Sequence, residues 1–138
     1  MKKIKDIQIE IIQEFDLFDD WLQKYEYIID LGKELNKLSS QHKNEDNLIK
    51  GCQSKVWLHA ESRGGHVHYF ADSDAIMTKG IISLLIRVLS NQPANEIIDA
   101  KLDFIDKIGL KEQLSATRAN GLLSMVKQMK IYALAYKN

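Results

Sequence analysis

Residues 54–72 read SKVWLHAESRGGHVHYFAD, and this stretch decides the fold. Val56, Leu58 and Ala60 alternate with Lys55, Trp57 and His59. Val67, Tyr69 and Ala71 alternate with His66, His68 and Phe70. A period of two places each set on its own face, one apolar and one polar. Gly64-Gly65 between them is a turn signal, because such turns need backbone angles that glycine adopts without cost. The pattern predicts two antiparallel strands, about 54–62 and 66–72, joined as a hairpin. Leu48 and Ile49, just upstream, suggest a third short strand at 48–51.

Outside this hairpin the apolar period changes to that of a helix. Ile4, Ile7, Ile11, Ile12 and Phe15 recur at helical spacing. Asp16 is placed to cap a second helix, with Asp19 favouring its first turn electrostatically. Its stripe is Phe18, Trp21, Leu22, Tyr25, Ile28, Ile29 and Gly32, fading across residues 35–38. Residues 39–47 (SSQHKNEDN) read as a polar loop. After the hairpin, Ser73 and Asp74 are N-cap types, and an apolar helix runs from Ala75 to about Ser90 through Ile76, Ile81, Leu84, Leu85, Val88 and Leu89. Asn91-Gln92-Pro93 stops it. A short helix at 94–100 and a loop around Gly109 follow. Ser115 then caps a last helix with the stripe Leu122, Met125, Val126, Met129, Ala133 and Tyr136. The sum is a single α+β domain over residues 1–138: a small three-stranded antiparallel sheet packed by helices.

Composition narrows the function. Of 138 residues, 45% are hydrophobic and 28% charged, which suits one packed core and not a disordered chain. The formal net charge is zero, so the chain lacks the electrostatic footprint of a nucleic-acid or membrane-surface binder. The most apolar run, residues 81–89, is far short of a membrane span and contains Arg87. Asp6 and Glu10 interrupt the N-terminal apolar residues, unlike a signal peptide. The expectation is a cytoplasmic protein, monomeric by default because one core consumes the apolar stripes.

The chain has one cysteine, Cys52, so no intramolecular disulfide and no cysteine-rich metal site is open to it. It follows Gly51, which suits a tight loop presenting the next side chain. From the residues alone, Cys52 reads first as a small buried hydrophobe. Asp72, Ser73 and Asp74 read as caps and hairpin ends. His66 and His68 share one strand face, but no carboxylate or cysteine at ligand spacing completes a metal motif. His42 and His59 lack a catalytic partner by spacing. Trp21, Tyr25 and Tyr136 read as core, and Trp57 as packing on the other face of the sheet.

Four ordered segments carry a resemblance. GCQSKVWL (51–58), WLQKYEYIIDLGKEL (21–35), DSDAIMTKG (72–80) and RANGLLSM (118–125) together resemble the SufE-like sulfur-acceptor proteins, which work with cysteine desulfurases in iron–sulfur cluster assembly. Met77 and Thr78 depart from the family's more usual aliphatic pair. The second and third cysteines of the related U-type cluster scaffolds are missing. The resemblance implies transpersulfidation. Cys52 would take the terminal sulfur of a desulfurase persulfide and hand it to a cluster scaffold, with pyridoxal phosphate belonging to the desulfurase and no cofactor or metal here. It implies that Arg118 stabilises a thiolate or persulfide. It also implies that Gly51, Gln53 and Ser54 form the cysteine loop, and that Asp72 and Asp74 lie against it and help shield the thiol. Lys79 reads as a snorkelling or partner-facing side chain. Two other readings stay open: a non-catalytic desulfurase-binding adaptor with a structural Cys52, and a metal scaffold using Cys52 and the strand histidines.

Overall fold

The structure is a computed structural model that describes residues 2–35 and 38–137. The hairpin is its centre. Strand β1 (Val56–Arg63) pairs antiparallel with β2 (His66–Ser73), from Val56 opposite Ser73 to Arg63 opposite His66. Gly64 and Gly65 both have positive φ (56° and 82°), the geometry a two-residue hairpin turn requires. Val56, Leu58 and Ala60 of β1 and Val67, Tyr69 and Ala71 of β2 are buried, as the alternation predicts.

The third strand differs from the one expected at 48–51. That segment makes a single bridge, Leu48 to Trp57, before Gly51 turns the chain away at φ 94°. The third strand is β3 (Gln92–Pro93), on the opposite side of β2, so the sheet order is β1-β2-β3. Asn91 makes it possible: with φ 61°, a conformation asparagine tolerates, it reverses the chain, and its N–H donates to the Val67 carbonyl.

Helix α1 (Ile4–Phe15) buries Ile7, Ile11 and Phe15. Asp16 closes this helix instead of opening the next, its N–H donating to the Ile12 carbonyl. Helix α2 (Trp21–Lys33) is capped by Asp20, whose Oδ1 accepts from the Gln23 N–H at 2.9 Å, while the Gln23 side chain accepts from the Asp19 N–H. The five residues between the helices bring Phe18 over Phe15 and Tyr27, with ring centroids 6.4 and 5.0 Å away. Leu22, expected in the buried stripe, is exposed. The fading of that stripe falls partly on residues 36 and 37, which lie outside the described residues. The 39–47 loop contains two short 3-10 turns, Ser40–His42 and Glu45–Asn47.

Helix α3 (Ile76–Leu89) is buried on most of its circumference and lies on β2. Its N-cap position is Ala75, with no side-chain cap; Asp74, expected as a cap, accepts from the Lys55 N–H instead, and the Ser73 hydroxyl donates to the Lys55 carbonyl while accepting from the Ala75 N–H at 3.2 Å. Ile76 is exposed. Helix α2 crosses α3 at two glycines: a Cβ on Gly80 would lie 2.1 Å from the Ile28 carbonyl oxygen, and one on Gly32 2.7 Å from the Gly80 nitrogen. Glu14 of α1 binds Arg87 of α3 through both carboxylate oxygens and accepts from the Tyr27 hydroxyl of α2, tying three helices together. Arg87 holds the Glu14 carboxyl below its usual range.

The chain returns through α4 (Ala94–Asp99), α5 (Phe104–Lys107) and α6 (Leu110–Gln113); the last two occupy the expected loop around Gly109. Helix α7 (Ala116–Ala135) begins at Ser115, whose Oγ accepts from the Arg118 N–H at 3.2 Å. It buries Gly121, Leu122, Met125, Met129 and Ala133. Tyr136, expected in the core, is exposed; its hydroxyl donates to the Ala60 carbonyl, and Tyr132 donates to Leu58. Those carbonyls lie on the outer edge of β1. The phenol of Tyr69 crosses the core to donate to the Met129 carbonyl at 2.6 Å, and burial pushes its pKa up.

Candidate functional site

The cysteine loop is short and held at both ends. Upstream, the Ile49 N–H donates to the Val56 carbonyl at 2.8 Å. Downstream, Lys55 is gripped through its backbone. Its N–H donates to Asp74 Oδ1 at 3.0 Å, and its carbonyl accepts from the Asp74 N–H at 3.2 Å and from the Ser73 hydroxyl at 2.8 Å. Residues 50–54 form the arc between these anchors. The arc lies on the first turns of α7, and glycine permits the approach. A Cβ on Gly51 would sit 2.5 Å from Ser124 Oγ, and Gly51 has φ 94°, which other residues resist. Across the contact, Gly121 presents backbone to the sulfur: Cys52 Sγ lies 3.5 Å from the Gly121 carbonyl oxygen, a weak S–H donation.

Cys52 is half-buried, and burial pushes its thiol pKa above the ordinary value. Beside it is a small cavity of about 60 Å³, lined by Cys52, Gln53, Ser54, Thr78, Ser115, Thr117, Arg118, Gly121 and Met125. Arg118 is the only charged side chain of this lining. It is exposed and makes no ion pair among the described residues. At rest the thiol is protonated at neutral pH and is a poor nucleophile, while an unpaired cation borders the same cavity.

The structure brings Cys52, Gln53, Ser54 and Arg118 into one cavity, with Gly51 at its loop. Asp74 stands one step away, on the Lys55 backbone. Asp72 is not in this lining. Its carboxylate pairs with Lys43 at 2.5 Å and Lys79 at 3.3 Å on the outer face of the sheet, and its pKa lies below the usual range despite burial because of Lys43, the Ser73 N–H and Lys79. Lys79 is thus engaged by Asp72. Lys43 also lies 5.6 Å above the Trp57 ring, fastening the Ser40–His42 turn region to the sheet. His42 stacks on His59 with centroids 3.7 Å apart, a contact invisible to spacing along the chain. No cluster of three or more His, Cys, Asp or Glu suited to a metal ion is found among the described residues. Sequence reasoning missed Ser115, Thr117, Gly121 and Met125 as lining residues. It met Thr78 only as a departure from a family pattern.

The site so defined is a single cysteine on a loop pinned at both ends and laid against α7. The model of the SufE family, described as an Fe-S metabolism associated domain, matches residues 9–133, and the chain belongs to that family. An uncharacterized SufE-like protein of Rhizobium etli is 39% identical over 127 residues, covering 88% of this chain and 85% of that one. The chloroplastic/mitochondrial SufE-like protein 1 of Arabidopsis thaliana is 42% identical over 128 residues, 91% of this chain but 34% of the longer plant protein. An uncharacterized SufE-like protein of Synechocystis is 34% identical, covering 93% and 80% of the two chains. The solution structure of a hypothetical protein from Thermus thermophilus has the same fold, with a TM-score of 0.78, 17% identity and coverage of 94% and 95%. No helix among the described residues is long and apolar enough to cross a membrane.

Proposed function

We propose that this protein accepts sulfur from a cysteine desulfurase onto Cys52 and delivers it to iron–sulfur cluster assembly. The observation that carries the reading is the placing of the one cysteine at the crest of an arc pinned at both ends, its sulfur against a polar cavity bordered by Arg118.

The reaction is thiol–persulfide exchange. The sulfur of Cys52 attacks the terminal sulfur of the donor's Cys–S–SH. The donor's S–S bond breaks, its thiolate leaves with the electron pair and takes up the proton from Cys52, and Cys52–S–SH forms with no net oxidation. Because the resting thiol is shielded and protonated, docking must draw residues 50–54 off α7 while the anchors at Ile49 and Lys55 stay in place. Exposed Ile76 and Leu123, on the two helices that contribute to the cavity, offer apolar contacts to such a partner. Arg118 then stabilises the developing anion. The protein acts as an accessory to the desulfurase, and its persulfide is the covalent intermediate.

The test is an intact mass after incubation with a desulfurase and L-cysteine without reductant. One sulfur atom should be gained on Cys52, and Cys52→Ser should abolish both the gain and the stimulation of the desulfurase. Stimulation retained in Cys52→Ser would show an adaptor instead.

A further inference from the structure

The corner between α1 and α2 leaves apolar surface without a partner. Leu17 is 81% exposed, more than any other large hydrophobic side chain among the described residues, and Leu22 is 65% exposed. Leu17 lines a shallow groove of about 330 Å³ together with Phe18, Tyr27, Asp19, Glu26 and Asp30. Leu22 stands one turn before Glu26 on the same exposed face of α2. No basic side chain lines the groove among the described residues. Asp19 and Glu26 have no ion-pair partner among them, and Asp30 meets only the exposed Lys33. Lys24 is the one cation of residues 16–30, and its ammonium turns to the Ile108 carbonyl at 3.4 Å.

The floor of the groove is built in advance. Phe18 rests on Tyr27, and the Tyr27 hydroxyl donates to Glu14, which Arg87 holds from α3. A preformed floor loses little freedom when something binds to it. The same contacts set the groove apart from the cysteine. Tyr27 is tied to the Arg87 end of α3, whereas Thr78, near the other end, lines the cavity of Cys52. The helix between those two residues spans roughly 14 Å.

Charge and spacing choose the occupant. Carboxylates repel phosphate-bearing surfaces, so neither a nucleic acid nor an anionic bilayer fits. They form no cluster suited to a metal ion among the described residues. Glu26 and Asp30 stand one turn apart, about 6 Å along α2, which matches two cations one turn apart on a facing helix. The bare leucines beside them call for an apolar side chain on that same helix.

We propose that the α1–α2 corner is a second docking surface, which takes a basic amphipathic helix of a partner protein. Lysine or arginine side chains one turn apart pair with Glu26 and Asp30, and an apolar residue between them covers Leu17 and Leu22. The charges set approach and register, and burial of the leucines supplies affinity. The proposal goes beyond the sulfur-acceptor reading and does not depend on it. With both in force, this partner sits at the corner while Cys52 is engaged elsewhere.

The test uses the full chain and a fluorescent peptide of about 15 residues, leucine and lysine in amphipathic helical order, with binding read by anisotropy at low salt. A peptide of the same order with glutamate for lysine is the control. The lysine peptide should bind at least about tenfold more tightly than the glutamate peptide. Leu17→Ser and Glu26→Lys should each weaken it about tenfold, the size of one buried leucine or one reversed charge. Both residues are exposed, so neither change enters the core. Glu45→Lys makes the same change of net charge outside the groove and should bind within about twofold of the parent. Prior alkylation of Cys52 with iodoacetamide should leave binding unchanged. Equal binding of the two peptides would overturn the proposal, as would parental binding in Leu17→Ser. Equal weakening in Glu26→Lys and Glu45→Lys would reduce it to diffuse attraction and overturn it. Binding lost on alkylation would move the peptide to the cysteine loop, and a lower sedimentation coefficient of Leu17→Ser alone would make the occupant a second copy; either result sinks the idea.

Discussion

Two pairs of glycines bring chain segments into close approach here, and they do opposite work. At the α2–α3 crossing, Gly32 and Gly80 let backbone lie on backbone inside the core, with no room for a methyl group. At the cysteine loop, Gly51 and Gly121 let an arc rest on α7, but what meets is a hydroxyl, a thiol and one carbonyl. The first contact excludes water and alternatives. The second is edged by a polar cavity and closed by a weak S–H donation. Close approach therefore does not make a contact rigid; the chemistry between the surfaces does.

The sharpest way to break this contrast is to add one methyl on each side. Gly80→Ala puts a carbon 2.1 Å from the Ile28 carbonyl oxygen and should cost about 3 kcal/mol or more in denaturant unfolding. Gly121→Ala meets Cys52 Sγ at 3.5 Å, an ordinary contact, and gains helix propensity, so its stability should stay within about 1 kcal/mol of the parent. Equal costs at the two sites would erase the distinction.

A smaller effect is expected at the anchor of the arc. Asp74→Ala leaves the Lys55 N–H without its carboxylate, and iodoacetamide should then modify Cys52 several-fold faster in the free protein, with a stability loss of about 1 kcal/mol. Unchanged alkylation would mean that the arc is held by α7 alone.

The smallest effect is a pH slope. Burial raises the Cys52 thiol pKa, so above about pH 8.5 the folded chain keeps a proton that the unfolded chain releases. The stability this group contributes is fully present below that pH and is lost as pH rises through the folded value. The difference in denaturant midpoint between the parent and Cys52→Ser should therefore shift against the parent on the alkaline side. A flat difference would show a thiol already exposed.

Much of this was legible because it is local. The hairpin register follows from a period of two and from a Gly-Gly pair that accepts positive φ at both positions. Ser115 announces its helix by a cap three residues ahead of Arg118. What stayed hidden depends on partners distant in sequence. Leu48-Ile49 has strand character, but Gly51 limits it to one bridge, while Gln92-Pro93 pairs only because Asn91 turns it back onto Val67. Asp16 and Asp20 are equal as caps on paper; Phe18 packing on Phe15 and Tyr27 decides between them. At the site, the resemblance to SufE-like proteins pointed to Cys52, Gln53, Ser54 and Arg118, which line one cavity. Asp72 is drawn away by two lysines, and no spacing rule brings Thr78 of one helix to the start of another.

The two tyrosines near the end of α7 reach past the rim of the sheet. The Tyr132 and Tyr136 hydroxyls occupy the outward carbonyls of Leu58 and Ala60, along the side of β1 that has no neighbouring strand. Bare main-chain acceptors in that row would template a foreign strand and invite self-association. The phenols blunt that invitation, so the free margin of the sheet is capped by side chains from the far end of its own chain.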